Sequence, residues 1–214
     1  GSAAENIGVD LLLQAMVKYL PSPENRAPVT ATKVEDDTEV TRSAGSGEAT
    51  SALVFKTIAD PYAGKLTLFR TFSGTIKGDS SIFNTSQGVS ERVGQLYMLQ
   101  GKTQVPVSEV PEGEIGAVAK LKQTITGDTF SDSDEKVNFA PIIFPLPVFS
   151  RALMPKTRAD EEKISHALQR LTEEDPTLKV ERSSQTGELL ISGLGQGHFD
   201  VALEKLKARF GVEV

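Results

Sequence analysis

The stretch Gly193-Leu-Gly-Gln-Gly-His-Phe-Asp200 decides how the C-terminal region folds, because it joins two segments with different hydrophobic periods. Before it, residues 189–191 form a short apolar run suited to a buried strand. After it, apolar residues recur at the spacing of one helical face: Phe199, Ala202, Leu203, Leu206 and Phe210. Gly211 follows the last of them, where a helix commonly ends in a left-handed glycine. The pattern predicts a strand, a glycine turn and a helix.

Two functions are compatible with this glycine turn. Its glycines resemble a dinucleotide-binding fingerprint, in which backbone N–H groups approach a pyrophosphate at a helix N-terminus. That fingerprint needs a further strand with an acidic residue about 20 residues on, whereas the sequence has only residues 211–214 after the helix. Residues 178–184 and 188–192 also look like a hairpin joined through Gln185-Thr-Gly187. We therefore expect the glycines to serve backbone geometry rather than to bind a cofactor.

Composition narrows the class of protein. The chain has 214 residues, of which 38% are hydrophobic and 24% charged, so it can form a packed core. Its net charge of −6 argues against a generally basic nucleic-acid-binding surface but allows a local basic face. The absence of Cys excludes disulfides and cysteine-based metal sites. Without a long apolar run or a signal peptide pattern, we expect a cytoplasmic protein with no membrane partner.

Three regions precede the C-terminal one. Apolar residues on one stripe predict an N-terminal helix that Pro21-Ser-Pro23 ends. Residues 31–51 are rich in Thr, Ser, Gly and acids, and we expect a mobile loop or an irregular strand there. Residues 51–58 and 65–72 predict strands, and glycine turns roughly every dozen residues then predict a small barrel or sandwich, with Pro106 and Pro111 at its edges.

The C-terminal region predicts a β-α-β-β-α-β order, which is the split βαβ or ferredoxin-like plan. Residues 148–154 form its first strand, and Thr157-Arg-Ala-Asp160 has the spacing of a helix capping box. The helix that follows has an apolar stripe: Ile164, Ala167, Leu168 and Leu171. Residues 212–214 begin one more strand, which is cut short. The fold class is therefore mainly β followed by α+β.

Several ordered motifs resemble one family. They are Asn6-Ile-Gly-Val9, Tyr19-Leu-Pro-Ser-Pro23, Asp60-Pro-Tyr-Ala-Gly-Lys-Leu-Thr67, Ser73-Gly-Thr75, Phe144-Pro-Leu-Pro-Val148, Pro155-Lys-Thr-Arg-Ala-Asp160 and the glycine turn. The chain resembles the middle of translation elongation factor G over essentially all of its length. This resemblance implies three parts: residues 1–26 as the last helix of the GTP-binding domain and a linker, 27–143 as the β-barrel domain II, and 144–214 as the ferredoxin-like domain III.

The resemblance also implies what this chain lacks. It contains no G-x-x-x-x-G-K-[ST] loop and no NKxD element, so we expect no GTPase activity, no catalytic residue and no metal or cofactor in this segment. GTP and Mg²⁺ would belong to the parent protein, a ribosome-dependent GTPase. Ser2 and Ala3 match the remnant of the family's guanine-recognition loop.

Further site residues follow from the same resemblance. His198, Gly197, Thr177 and Lys205 correspond to the region that faces the GTPase switches and borders the fusidic-acid site. Gln196 and Gly197 depart from the family's usual residues, and Lys205 replaces an arginine. Asp60, Tyr62 and Lys65 correspond to a ribosomal RNA contact loop. For His198 two roles stay open, capping and packing or a contact to the GTP-binding domain, and no nucleophile or orienting acid is evident beside it in the sequence.

The resemblance implies a ribosome-binding and switch-coupling segment of a translational GTPase that promotes tRNA–mRNA translocation. Its expected partners are small-subunit ribosomal RNA and protein and the parent's GTP-binding domain, and we expect a monomer. The alternative is a regulatory, recycling or ribosome-protection paralogue built from the same modules without productive GTP turnover.

Overall fold

The N-terminal segment forms a helix whose apolar side is uncovered. The structure, a computed structural model, describes residues 1–45, 47–60 and 64–214, with the side chain of residue 60 left out. Helix α1 (Val9–Tyr19) follows Gly8, whose φ of +76° suits glycine. It ends before Pro21, as predicted, and a single 3₁₀ turn (Pro23–Asn25) follows. No residue of α1 is buried, and Val17 is 87% exposed.

Short antiparallel strands make up the region that follows. They are β1 Val29–Lys33, β2 Glu39–Arg42, β3 Ser51–Asp60, β4 Gly64–Ser73, β5 Thr75–Lys77, β6 Ser80–Asn84, β7 Val89–Val93, β8 Leu96–Gln100, β9 Thr103–Val107, β10 Glu109–Pro111, β11 Ile115–Ala119, β12 Thr129–Ser131 and β13 Val137–Phe139. The main sheet has the order β7-β6-β12-β3-β4-β11-β8-β9 and curls around a core that contains Phe69 and Phe130. Pro106 lies in β9, at the end of this order, where its missing N–H is tolerated.

Strand β4 has two buried faces. Phe69 packs in the main core, whereas Leu66 and Leu68 belong to a second cluster with Ala117. The alternation predicted for residues 65–72 is therefore present, with apolar contacts on both sides of the strand.

Residues 31–51 were predicted to be a mobile loop or an irregular strand, and residues 31–33 and 39–42 lie in strands. Strands β1 and β2 form a hairpin, and β1 also pairs with β13, with Ala31 opposite Phe139. Ala31, Val137 and Phe139 are buried together. The hairpin is ordered because β1 pairs with β13. That strand lies much later in the chain, so the local composition of residues 31–51 gives no sign of the pairing. Ser46, at the centre of the glycine-rich part, lies outside the described residues.

The C-terminal domain has the predicted split βαβ order. Its elements are β14 Phe149–Leu153, α2 Arg158–Glu174, β15 Lys179–Arg182, β16 Leu189–Gly193 and α3 Gln196–Phe210. The sheet order is β14-β16-β15, all antiparallel, and it is separate from the main sheet. Both helices cover it with the apolar stripes that the sequence predicted. Thr157 caps α2, since its Oγ1 accepts a hydrogen bond from Asp160 N at 3.2 Å.

The strand predicted to begin at residues 212–214 is not formed. One ladder-like hydrogen bond joins Lys156 N to Glu213 O at 3.1 Å. The neighbouring Pro155 has no N–H to extend the ladder. Gly211 ends α3 with a φ of +62°, as expected for a left-handed glycine.

Candidate functional site

The glycine turn between β16 and α3 depends on one of its three glycines. A Cβ on Gly193 would lie 2.9 Å from His198 Nδ1 and 3.3 Å from Leu178 Cδ2, whereas Gly195 and Gly197 face open space. None of the three has a positive φ in the left-handed region; Gly195, at 162°, is extended. The turn therefore needs no left-handed glycine, and close approach of the His198 ring explains Gly193.

Both ring nitrogens of His198 are used within the protein. The N–H of Leu194 donates to Nδ1 at 3.1 Å, so Nδ1 carries no proton. Nε2 therefore carries the proton of the neutral ring and donates to Asp175 Oδ2 at 2.9 Å. No acid beside His198 was evident from the sequence, because Asp175 lies 23 positions earlier. The ring holds the start of α3 against the end of α2.

Asp175 connects the turn after α2 to that ring. Its Oδ1 accepts hydrogen bonds from Thr177 N at 3.0 Å and from Thr177 Oγ1 at 2.5 Å. Burial of the carboxyl group favours its neutral form, but the hydrogen bonds from Thr177 and His198 outweigh burial and lower the pKa of Asp175. Thr177 is thus a partner of a charged carboxylate rather than a plain first residue of a strand.

This cluster is suited to positioning rather than to nucleophilic catalysis. In the described part of the chain, the hydrogen-bond partners of the His198 ring are Leu194 and Asp175, and neither is a nucleophile. The His198 side chain keeps 19% of its surface exposed. The arrangement can transmit a displacement of α3 to the end of α2.

The residue before Asp175 joins the two β regions. Glu174 Oε2 accepts hydrogen bonds from Ala59 N in β3 at 3.2 Å and from Arg209 Nη1 at 2.7 Å. Its Oε1 accepts one from Lys205 Nζ at 2.9 Å. The Glu174 side chain is only 12% exposed; burial opposes ionisation, yet the hydrogen bonds from Lys205, Ala59 and Arg209 lower its pKa. Lys205 therefore serves an ion pair at this junction.

A basic groove lies beside the same junction. It has a volume of about 530 Å³ and runs between the loop after β11 and the exposed side of α2. Its basic lining residues are Lys65, Lys120, Lys122, His166 and Arg170, and its one acidic lining residue, Glu173, pairs with Arg170 at 3.7 Å. The ammonium of Lys65 donates to Thr124 O. This groove is a local basic face on an acidic chain.

A buried carboxylate fixes the loop that forms one wall of the groove. Glu91 accepts hydrogen bonds from Lys122 N at 2.6 Å and Gln123 N at 3.0 Å. Thr124 adds its N–H at 2.8 Å and its hydroxyl at 2.6 Å. Burial alone would raise the pKa of Glu91, but these hydrogen bonds outweigh burial, so the pKa is lowered. Neither Glu91 nor Glu174 was among the site residues predicted from the sequence.

Comparisons with known proteins identify both β regions. The family model of elongation factor G domain 2 matches residues 49–133, and that of elongation factor G domain III matches residues 144–214. The chain belongs to the elongation factor G family. It is also similar to a crystal structure of a protein from Thermus thermophilus, at 34% identity with a TM-score of 0.78 over 100% of this chain. The chain spans 29% of the length of that protein.

The predicted site residues divide among the elongation factor G domains. His198, Gly197, Thr177 and Lys205 lie in the domain III match. The structure brings His198 and Thr177 together at Asp175, places Lys205 on Glu174, and leaves Gly197 exposed without a contact for an added Cβ. The drug-site and switch-facing roles of these residues stay predictions.

The remaining predicted residues lie apart from that cluster. Lys65 is in the domain 2 match, Tyr62 lies outside the described residues, and only the backbone of Asp60, in β3, is described. Ser2 and Ala3 precede both matches. Ser2 exchanges backbone hydrogen bonds with Ile7 at 3.0 and 2.9 Å, which closes a tight turn. A guanine contact by this turn and an RNA contact by Lys65 stay predictions.

Two kinds of feature are absent from the described ranges. No helix there has both the length and the apolar composition needed to cross a membrane. Within residues 1–45, 47–60 and 64–214, no group of three or more His, Cys, Asp or Glu side chains could hold a metal ion.

Proposed function

We propose that this chain is the ribosome-binding and switch-coupling segment of a translational GTPase that promotes tRNA–mRNA translocation during protein synthesis. The observation that carries the proposal is the pair of consecutive matches to elongation factor G domains 2 and III. The parent protein binds GTP and Mg²⁺ elsewhere. This segment anchors that protein on the ribosome and passes conformational change between domains.

The switch-coupling part rests on two neighbouring carboxylates at the end of α2. Asp175 contacts His198 in the first turn of α3, and Glu174 contacts Lys205 in α3 and Ala59 in domain 2. A push on the exposed edge of His198 by the parent's GTP-binding domain therefore reaches domain 2 through one short segment. The contact is between packed elements, so a small shift is transmitted rather than absorbed.

The exposed face of α1 is the second surface for the GTP-binding domain. Leu11, Leu12 and Leu13 are each more than half exposed, and Met16 and Leu20 also lie open. Clustered apolar exposure of this kind marks an interaction surface. In this proposal the occupant is the GTP-binding domain that precedes residue 1 in the parent protein.

The ribosome-binding part rests on the basic groove between domains 2 and III. Lysines of the loop after β11, Arg170 of α2 and Lys65 can neutralise phosphates of small-subunit ribosomal RNA. RNA binding should weaken with added salt, because each neutralised phosphate releases bound counterions.

Co-sedimentation of the 214-residue chain with small ribosomal subunits tests the RNA contact. The variant Lys120→Glu/Lys122→Glu should lower the affinity and make the salt dependence shallower. The matched control is Lys77→Glu/Lys102→Glu, which makes the same change in net charge at two exposed lysines outside the groove. Equal loss in the control would mean that only net charge matters, and unchanged binding of the double variant would place the RNA contact elsewhere.

Assays on the parent protein test the reaction. We expect ribosome-stimulated GTP hydrolysis coupled to tRNA–mRNA movement, with movement impaired more than hydrolysis by Glu174→Gln. Hydrolysis coupled to separation of the ribosomal subunits, without tRNA movement, would favour the recycling alternative. An absence of ribosome-stimulated hydrolysis would favour a regulatory or ribosome-protection role.

A further inference from the structure

A cavity of about 330 Å³ lies between the linker after α1 and the barrel. The linker contributes Arg26, the end of β2 contributes Arg42, and β4 contributes Arg70 and Thr71. The cavity is separate from the basic groove and shares no lining residue with it. Three arginines make this cavity locally basic in a chain whose net charge is −6.

Two polar atoms of the cavity residues lack a partner within the described residues. They are Arg42 Nε and Thr71 Oγ1, both buried. The Arg42 side chain is only 10% exposed, and Thr71 is fully buried. Native proteins pair nearly all such atoms, and an unpaired buried donor lowers stability. Both atoms are enclosed by the protein, so a ligand in the cavity would meet the other donors of the lining arginines instead.

The charges around the cavity define that group. The described lining residues include no carboxylate. Arg42 Nη2 contacts Glu135 Oε2 at 2.9 Å from outside the lining, which neutralises one of the three guanidinium charges. Glu48 also accepts hydrogen bonds from the lining residue Ser43, so three guanidinium groups lie beside two carboxylates and the cavity stays net positive. Guanidinium groups bind several oxygens of one phosphate at once, which favours a phosphate over a carboxylate. Phe72 and Val29 supply apolar wall for an attached organic group.

The linker wall of the cavity is held in place by a close contact. Gly113 has a φ of +83°, and a Cβ there would lie 2.6 Å from Pro23 Cβ. The loop before β11 therefore packs directly on the linker, and this contact fixes the linker wall of the cavity independently of the Arg26 side chain. A ligand that contacts Arg26 and Arg70 together would tie the linker to the barrel.

We propose that this cavity binds a small organic phosphate, with the phosphate on Arg26, Arg42 and Arg70 and the organic part on the apolar wall. The site lies outside the cluster around His198 and needs no GTP-binding domain. Nucleoside monophosphates have the required chemistry, and adenosine 5′-monophosphate is a practical probe. Inorganic phosphate shares the anionic part but lacks the apolar part, so it should bind more weakly.

Isothermal titration calorimetry on the 214-residue chain near pH 8, where phosphate is a dianion, tests the proposal at constant ionic strength. We expect saturable one-to-one binding of adenosine 5′-monophosphate, weaker binding of inorganic phosphate, and none of adenosine or acetate. Lack of saturable binding by both phosphates would overturn the proposal. So would equal binding of adenosine and its monophosphate, or acetate binding as tightly as phosphate.

Variants locate the binding site. Arg70→Gln should weaken nucleotide binding by roughly tenfold or more, because it removes a charged hydrogen-bond donor. The control Arg92→Gln removes an exposed arginine of β7 that does not line the cavity. This variant should bind the nucleotide as tightly as the wild type does. Equal affinity of Arg70→Gln and the wild type would overturn the assignment of the site.

Two further variants keep the test informative if Arg70→Gln folds poorly. Arg26→Gln removes an exposed guanidinium of the linker, so nucleotide affinity should fall while the unfolding temperature of the ligand-free chain changes little. Glu135→Gln removes the carboxylate that neutralises Arg42, so nucleotide affinity should rise several-fold. Unchanged or higher affinity for Arg26→Gln, or a fall for Glu135→Gln, would contradict the proposal.

Discussion

His198 Nε2 lies 2.9 Å from Asp175 Oδ2, and this hydrogen bond ties the first turn of α3 to the residue that ends α2. The His198 ring also accepts the N–H of Leu194, which fixes its orientation. A residue in the glycine turn thus holds together the end of α2, the end of β16 and the start of α3.

His198→Ala should lower the free energy of unfolding by about 1–2 kcal/mol, because it leaves the partly buried Asp175 carboxylate without one donor. Chemical denaturation of the 214-residue chain measures the change. His166→Ala is the control, since His166 is exposed on α2 and should change little. If the double variant His198→Ala/Asp175→Asn loses the sum of the two single losses in unfolding free energy, the two residues do not interact.

Gly193→Ala should destabilise the chain by roughly 2 kcal/mol or more, because its Cβ would collide with the His198 ring. Gly197→Ala has open space and a helical position, so it should stabilise the chain by about 0.5–1 kcal/mol. Thermal unfolding of the two variants separates these signs. Similar changes in both would contradict the steric explanation of Gly193.

Acid should destabilise the chain through carboxylates that are ionised in the folded state. The pKa values of Asp175 and Glu174 are lowered despite burial, and hydrogen bonds from Lys207 and Lys156 lower the pKa of Glu213 to about 2. Their stabilisation is complete above the unfolded pKa values of about 4 and is lost as pH falls toward the folded values. We expect the free energy of unfolding to fall between about pH 5 and pH 2.

Denaturation at a series of pH values measures this effect. Glu213→Gln should flatten the part of the curve below about pH 4, where the Glu213 carboxylate is still ionised in the folded chain. A curve that stays flat from about pH 5 to pH 2 would mean that these carboxylates are equally easy to protonate in both states.

Glu174→Gln should uncouple domain 2 from domain III. The variant loses the carboxylate that accepts Lys205 and Arg209 while Ala59 keeps its position, at an expected cost of about 2 kcal/mol. Scanning calorimetry should then resolve two transitions that overlap more closely in the wild type. Glu173→Gln is the matched control, because Glu173 pairs with Arg170 at 3.7 Å on the same helix. Identical traces for both variants would argue against a junction role for Glu174.

Glu91→Gln separates charge from geometry in RNA binding. The substitution makes the chain less acidic, which by charge alone should tighten binding to RNA. It also leaves the loop at residues 122–124 without its carboxylate acceptor, so the lysines of the groove should lose their fixed positions. We expect weaker co-sedimentation with small ribosomal subunits. Tighter binding would show that charge outweighs loop geometry.

The sequence predicted those parts of the fold whose signals are local. The apolar periods of α2, α3, β3 and β4 lie within single segments, and each element is present. The regular hairpin within residues 31–51 was not predicted, because β1 pairs with β13, which is distant in sequence. The pairing of His198 with Asp175 was missed for the same reason.

One missed feature was within reach of local reasoning. Aspartate followed by proline and threonine after a helix is a sequence in which the Asp side chain commonly accepts from the backbone two residues on. Asp175 and Thr177 make this contact. The ion pairs of Glu174 with Lys205 and Arg209 had no such signal, since they join α2 to a helix 31 and 35 positions later.

The pairing of β1 with β13 also governs the order in which the chain can fold during its synthesis. Ala31 emerges from the ribosome long before Phe139, its opposite residue, and β3 likewise precedes its neighbour β12. The early hairpin therefore presents an open strand edge until the last barrel strand is made, and such edges are prone to join other chains. Slower translation of residues 29–139 would prolong this exposure and favour aggregation of the nascent chain.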